Sequence, residues 1–119
     1  MALTRRPGAY HCGTEAAMDV IGGRWKVSVL WALEDGDGGP LRFGQLRRIL
    51  GGITEKVLAS HLRELVEDGI VHRQDFAEVP PRVEYSLTPR GKSLYDALET
   101  LGDWGQANII DAASAPSPT

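Results

Sequence analysis

Between Arg42 and Leu87 the chain reads as helix, turn, helix, strand, proline-stiffened loop, strand, and this order constrains the fold more than any other feature. The two helical parts are RFGQLRRIL and TEKVLASHLRELVEDG. In the second, Leu58, Leu62, Leu65 and Val66 recur at helical spacing and can pack inward, while Lys56, Ala59, Ser60 and Arg63 share another face. A candidate reading face therefore stands opposite a core face, a plan suited to gripping duplex DNA.

The elements on either side follow from local signals. Thr14 is placed to cap a short helix, TEAAMDVI, ending at Gly22 and Gly23. A second helix, Trp25 to Leu33, offers Val27, Leu30, Trp31 and Leu33 to a core, and the polar, glycine-rich EDGDGGP after it reads as a loop. Pro40, Leu41 and Arg42 suit a very short strand. In the helix Phe43 to Leu50, Phe43, Leu46, Ile49 and Leu50 point inward and Gln45, Arg47 and Arg48 outward. Gly51 and Gly52 make the turn, and Thr54 caps the helix that ends at Asp68 and Gly69.

Arg82 to Leu87 alternates cleanly, with Val83, Tyr85 and Leu87 on one face, and pairs with Ile70 to Phe76. The joining AEVPP is too long for a two-residue turn and its prolines stiffen it, so it projects as a wing with Arg82 at its base. Thr88 and Pro89 then start a last helix bearing an apolar stripe of Leu94, Leu98, Leu101 and Trp104. That stripe exceeds what the position of the helix requires, and it can pack on the chain's own core or on a second copy, the second being at least as well suited to so small a protein. Gly102 and Gly105 each weaken a helix by about 1 kcal/mol, which close approach of another backbone would explain.

The fold class expected is α+β, mainly α with a small β-hairpin wing: a winged helix-turn-helix with terminal dimerisation helices. Residues 1–12 form a mobile arm, 13–113 the domain and 114–119 a disordered tail. A length of 119 residues with 42% apolar content supports one modest core. No apolar run approaches bilayer length, and the start lacks a secretory pattern, so no membrane partner and a cytoplasmic location are expected.

Charge sharpens the reading by region. The net charge is −3, unusual for a nucleic-acid binder. Yet Arg42 to Lys92 holds nine Lys and Arg against seven Asp and Glu, a balance of +2, while the other residues hold four against nine, or −5. The positive share lies where DNA would dock, although so small a surplus is outweighed by the residue patterning as evidence.

Catalysis has little support: the carboxylates lie scattered on helix surfaces, and neither a phosphate-binding glycine loop nor a nucleophile elbow is present. No cofactor is implied, and no metal site, because His61 and His72 share no ligand spacing with the single cysteine and read as polar surface residues. The tryptophans, Trp25, Trp31 and Trp104, read as core or interface anchors. A winged-helix protein-interaction module without specific DNA binding remains the alternative class.

DVIGGRWKVSVLWAL, RFGQLRRIL with GITEKVLASHLRELVEDGIV, EVPPRVEYSLTPRG, and the late pair Trp104 and Gly105 together carry a resemblance. From Cys12 to Gly105 the chain resembles the HxlR-type winged helix-turn-helix transcriptional regulators, relatives of the MarR group. The resemblance implies a homodimer on an inverted repeat in double-stranded DNA, repression as the typical mode, the helix at Thr54 to Asp68 in the major groove and the wing at the minor groove. The candidate DNA-binding residues are Arg42, Gln45, Thr54, Lys56, Ala59, Ser60, His61, Arg63 and Arg82. Arg42 and Arg82 suit phosphates or a narrow minor groove better than base edges.

Cys12 precedes a helix start, where backbone N–H groups favour a thiolate, and Arg5, Arg6 and His11 are close in sequence. In some relatives the corresponding cysteine senses oxidants or electrophiles, so an oxidant or small-molecule effector is implied here; simple packing of a half-buried thiol is the other reading. The departures from the family pattern are Glu55 where a proline is usual, Ser60 and His61 where Gln and Arg are frequent, and Gly13 after Cys12 in place of proline.

Overall fold

A computed structural model describes residues 10–35 and 39–114. The part of the expected arm through residue 9, with Arg5 and Arg6, the centre of the glycine-rich loop, and the tail from residue 115 lie outside the described residues. The elements run α1 (Gly13–Ile21), α2 (Trp25–Asp35), β1 (Leu41–Arg42), α3 (Phe43–Leu50), α4 (Glu55–Glu67), β2 (Val71–Asp75), β3 (Val83–Leu87) and α5 (Pro89–Gly105). A π turn (Gln106–Ile110) leads into the last helical turn, α6 (Asp111–Ser114). Among these elements no helix is long and apolar enough to cross a membrane.

The core gathers Val29, Leu30, Leu33, Leu46, Leu58, Leu62, Leu65 and Val71 from α2, α3, α4 and β2. Leu94 and Leu98 of α5 pack against its edge. The burial of α2 differs from the expectation: Val27 and Trp31 are exposed, while Lys26, Val29, Leu30 and Leu33 face inward. Those four positions form one helical stripe at i, i+3, i+4 and i+7, so the helix is rotated to put a lysine in the core. Lys26 Nζ, only 4% exposed in its side chain, donates to Glu64 Oε2 of α4 at 2.6 Å. An ammonium withdrawn from water needs such a carboxylate, and the pair ties α2 to the middle of α4.

Ile49 is likewise exposed rather than inward, because Leu46 alone of α3 is fully buried and the helix ends one residue later. In α1 the N-cap is Cys12, not Thr14, so Thr14 lies inside the helix and Cys12 makes no side-chain cap bond. His61 is not a simple surface residue: it is half-buried, and its Nδ1 is enclosed without a hydrogen-bond partner. Its place one turn from both Leu58 and Leu65 puts its ring at the margin of the buried stripe.

The sheet is larger than a hairpin. Its three antiparallel strands lie in the order β1-β3-β2, with Leu41 opposite Tyr85 and Arg73 also opposite Tyr85 on the other side. A last hairpin bond runs from Phe76 N to the Arg82 carbonyl at 3.0 Å, leaving residues 77–81 as the wing tip. Both faces of β3 are half-covered, so the alternation read from the sequence does not become a dry and a wet side.

Thr88 closes the sheet and opens α5. Its Oγ1 accepts from Gly91 N at 3.0 Å and donates toward the Gly69 and Ile70 carbonyls, while Pro89 takes the first helical turn. Gly91 is buried here, and a Cβ at that position would stand 2.1 Å from the Ile70 carbonyl oxygen. Lys92 pairs with Glu34, joining α5 to α2, and the hydrogen bond to that carboxylate holds the Lys92 ammonium above its ordinary pKa.

Beyond Leu98 the stripe leaves the body: Leu101 is 56% and Trp104 60% exposed, and among the described residues no packed neighbour lies near enough to Gly102 or Gly105 to explain their lack of a side chain. The molecule is elongated, with a radius of gyration of 16.5 Å and a longest extent of 64 Å. A compact chain of this size has a radius of about 13.5 Å.

Two substitutions probe these joints. Gly91→Ala is expected to lower stability by about 1–3 kcal/mol or more in urea denaturation, because its methyl meets backbone rather than a yielding side chain. Glu64→Ala leaves the Lys26 ammonium buried without its carboxylate and should cost about 1–3 kcal/mol. Lys26→Met removes that charge and should cost less; equal losses would show that the pair is not what holds the two helices.

Candidate nucleic-acid interface

The local sequence builds α4 as a presented helix. Gly51 and Gly52 turn the chain at φ 61° and 81°, a region open to glycine. Thr54 then caps α4, its Oγ1 accepting from Val57 N at 3.2 Å. With Leu58, Leu62 and Leu65 facing the core, Lys56, Ala59 and Arg63 are exposed on the far side and Ser60 is half-buried beside them. Lys56 and Arg63 therefore form the exposed polar edge foreseen from the spacing.

The preceding helix lies alongside. Arg42 is the N-cap of α3, and its backbone N–H donates to Gln45 Oε1 at 2.8 Å, so the Gln45 side chain is folded back onto the helix start. Arg47, whose role the pattern alone did not show, spans the turn: its Nε donates to the Ile53 carbonyl and its Nη1 to Glu55 Oε1, each at 3.2 Å. These groups line a cleft of about 490 Å³ with Arg48 and Thr54 on its walls.

On the other side of α4 a cleft of about 310 Å³ separates the helix from the sheet, lined by Ala59, Leu62, Arg63, Arg73 and Tyr85. Arg73, a β2 residue missed in the sequence, comes beside Arg63 only because the strand register places it opposite Tyr85. Its guanidinium lies 4.0 Å from Asp75.

At the wing base, Arg82 is half-buried and held on three sides. Its guanidinium stacks 3.8 Å over the Phe76 ring, its Nη1 meets Glu78 at 3.3 Å and its Nε meets Glu84 at 3.1 Å. The structure thus gathers Thr54, Lys56, Ala59, Ser60 and Arg63 on one helix, with Arg42 and Gln45 at the start of α3, and sets Arg82 apart in the wing. Cys12 lies elsewhere, exposed at the start of α1, with its carbonyl accepting from Ala16 N at 3.2 Å. Its neighbour His11 pairs with Glu15 at 3.1 Å.

Comparison with known proteins agrees with this geometry. Residues 20–113 match the family described as HxlR-like helix-turn-helix. The uncharacterised HTH-type transcriptional regulator YybR of Bacillus subtilis is 43% identical over 102 residues, 86% of this chain and 79% of that one. The redox regulator HypR in its reduced form is 41% identical, covers 87% of this chain and 100% of its own, and superposes with a TM-score of 0.76. Reduced YodB of B. subtilis, a transcriptional regulator, is 31% identical over 84% of this chain and 96% of its own, with a TM-score of 0.72. With a helix-turn-helix, a wing and these relatives in agreement, the chain belongs to the HxlR-like helix-turn-helix family of transcriptional regulators.

Proposed function

We propose that this protein is a sequence-specific repressor that binds an inverted-repeat operator as a two-fold homodimer, and that Cys12 tunes this binding to oxidants or electrophiles. The observation that carries the reading is the division of α4: three leucines are buried while Lys56, Ala59 and Arg63 stand clear on the opposite side. Laid in the major groove, that side meets base edges, while Thr54 and Arg42 meet phosphates and Arg82 reaches the backbone or the minor groove from the wing.

A homodimer is supported by what the single chain leaves uncovered. Met18 of α1 is half-exposed, as are Leu101 and Trp104 of α5 and Ile109 and Ile110 of the π turn. Pairing these helices across a two-fold axis covers them and sets two α4 helices about 34 Å apart, one turn of DNA. Repression then follows wherever the repeat overlaps a promoter.

The test is operator binding by the full chain, followed by fluorescence anisotropy and light scattering. Arg63→Ala is expected to cost about 1–3 kcal/mol and relax preference at one base pair, whereas Arg82→Ala weakens many sequences alike and lowers the salt slope by about 1. Leu101→Asp, chosen over the half-buried Leu98, should weaken dimerisation and DNA binding together. A monomeric protein that also binds DNA as a monomer would overturn the two-fold arrangement.

The thiol reading draws support from the relatives, since HypR is a redox regulator solved in reduced and oxidised forms and YodB was solved after diamide treatment. In this chain Cys12 is exposed and starts a helix assigned to the dimer interface. With one cysteine per chain, diamide can take two electrons and two protons from two Cys12 thiols and leave one disulfide between subunits. Strain on α1 would alter the spacing of the reading helices, so affinity for a fixed repeat is expected to fall in the wild type and not in Cys12→Ser. Undiminished affinity of a protein shown by mass spectrometry to be modified at Cys12 would make the thiol a bystander.

A further inference from the structure

We propose that Glu55 reads a base in each operator half-site, its carboxylate accepting the N4 amino group of a cytosine, and that Arg47 is the positioning residue that aims it. This rests on the reading of α4 as the major-groove helix. Glu55 is the first residue of α4, and the early residues of a recognition helix are those that meet base edges. Its side chain is 73% exposed, so the core makes no use of it.

The carboxylate is nevertheless held. Oε1 takes the Nη1–H of Arg47 at 3.2 Å, while Oε2 has no protein partner among the described residues. Arg47 is fixed in turn by its bond to the Ile53 carbonyl. The guanidinium therefore reaches from α3 across the turn to Glu55 instead of extending toward a phosphate.

A carboxylate on a DNA-facing surface is repelled by phosphate. Two features offset that repulsion here: the adjoining guanidinium, and the positive end of the α4 dipole. What is left for DNA is a group that only accepts hydrogen bonds, presented at one place. The donors on the major-groove edges of the bases are the amino groups of cytosine and adenine. Adenine sets its N7 acceptor beside that amino group, opposing a carboxylate, so cytosine is the better match.

The experiment is selection of duplexes from a random pool by the full chain, followed by anisotropy with each base pair at every half-site position. The unaltered protein is expected to prefer C·G at one position by about ten- to hundredfold. Glu55→Ala should lose the preference at that position alone. Glu55→Gln should move it to A·T, because an amide matches adenine N6 and N7 together. Arg47→Met, with helix content intact by circular dichroism, should blunt the same position, and Arg47→Lys should retain part of it. If both Glu55 variants instead bind every sequence equally more tightly, with all preferences kept, the carboxylate merely repels phosphate and the inference is overturned while the operator reading stands. If the unaltered protein selects no sequence, the operator reading itself falls and takes this inference with it.

Discussion

Burial of Leu58, Leu62 and Leu65 in one cluster with Leu30, Leu46 and Val71 is the interaction on which the remaining structure depends. Removing each of these leucines from water contributes about 1.5–3 kcal/mol, far more than any surface ion pair nearby. Because the three occupy one helical stripe, their burial also fixes the rotation of α4 and so decides which side chains face outward. The Lys26–Glu64 bond adds a second fixed point, from α2 to the middle of the same helix. Thr88 and Gly91 supply a third, pressing the start of α5 onto the Ile70 carbonyl behind β2.

The electrostatics of the exposed side around α4 follow from how its arginines are shared. Arg47 is held by Glu55, Arg82 by Glu78 and Glu84 over the Phe76 ring, and Arg73 lies near Asp75. Lys56, Arg48 and Arg63 have no ion pair among the described residues. The central segment is thus less basic in effect than a count of its arginines suggests. On the proposed DNA-binding reading, a weak general attraction to phosphate would leave a larger share of any operator preference to the shape and chemistry of α4, the setting in which one carboxylate can matter.

Where the residue pattern had a single physical meaning, it was legible. The Leu58, Leu62 and Leu65 spacing, the Thr54 cap, the glycine pair at 51 and 52, and the strand on either side of the prolines each appear within a residue of where they are expected. The α2 helix departs from its pattern because lysine is a poor predictor of burial: the pattern offers Val27 and Trp31 to a core that uses Lys26 and Val29 instead. Thr14 was a sound capping residue by type, yet the helix begins at Gly13 and leaves it inside. No local signal reveals either a partner such as Glu64, 38 residues away, or the backbone that Gly91 must clear.

The sequence by itself determined the order of the elements, the buried side of α4 and the residues that side leaves exposed, because these depend on periodicity and on short-range capping. Tertiary structure alone decided the pairing of the short strand at Leu41 with β3, the placing of Arg73 across a cleft from Arg63 and the fastening of Glu55 by Arg47. Each of those joins groups that chain distance does not bring together, and only strand register and helix packing set the few ångströms that make them neighbours.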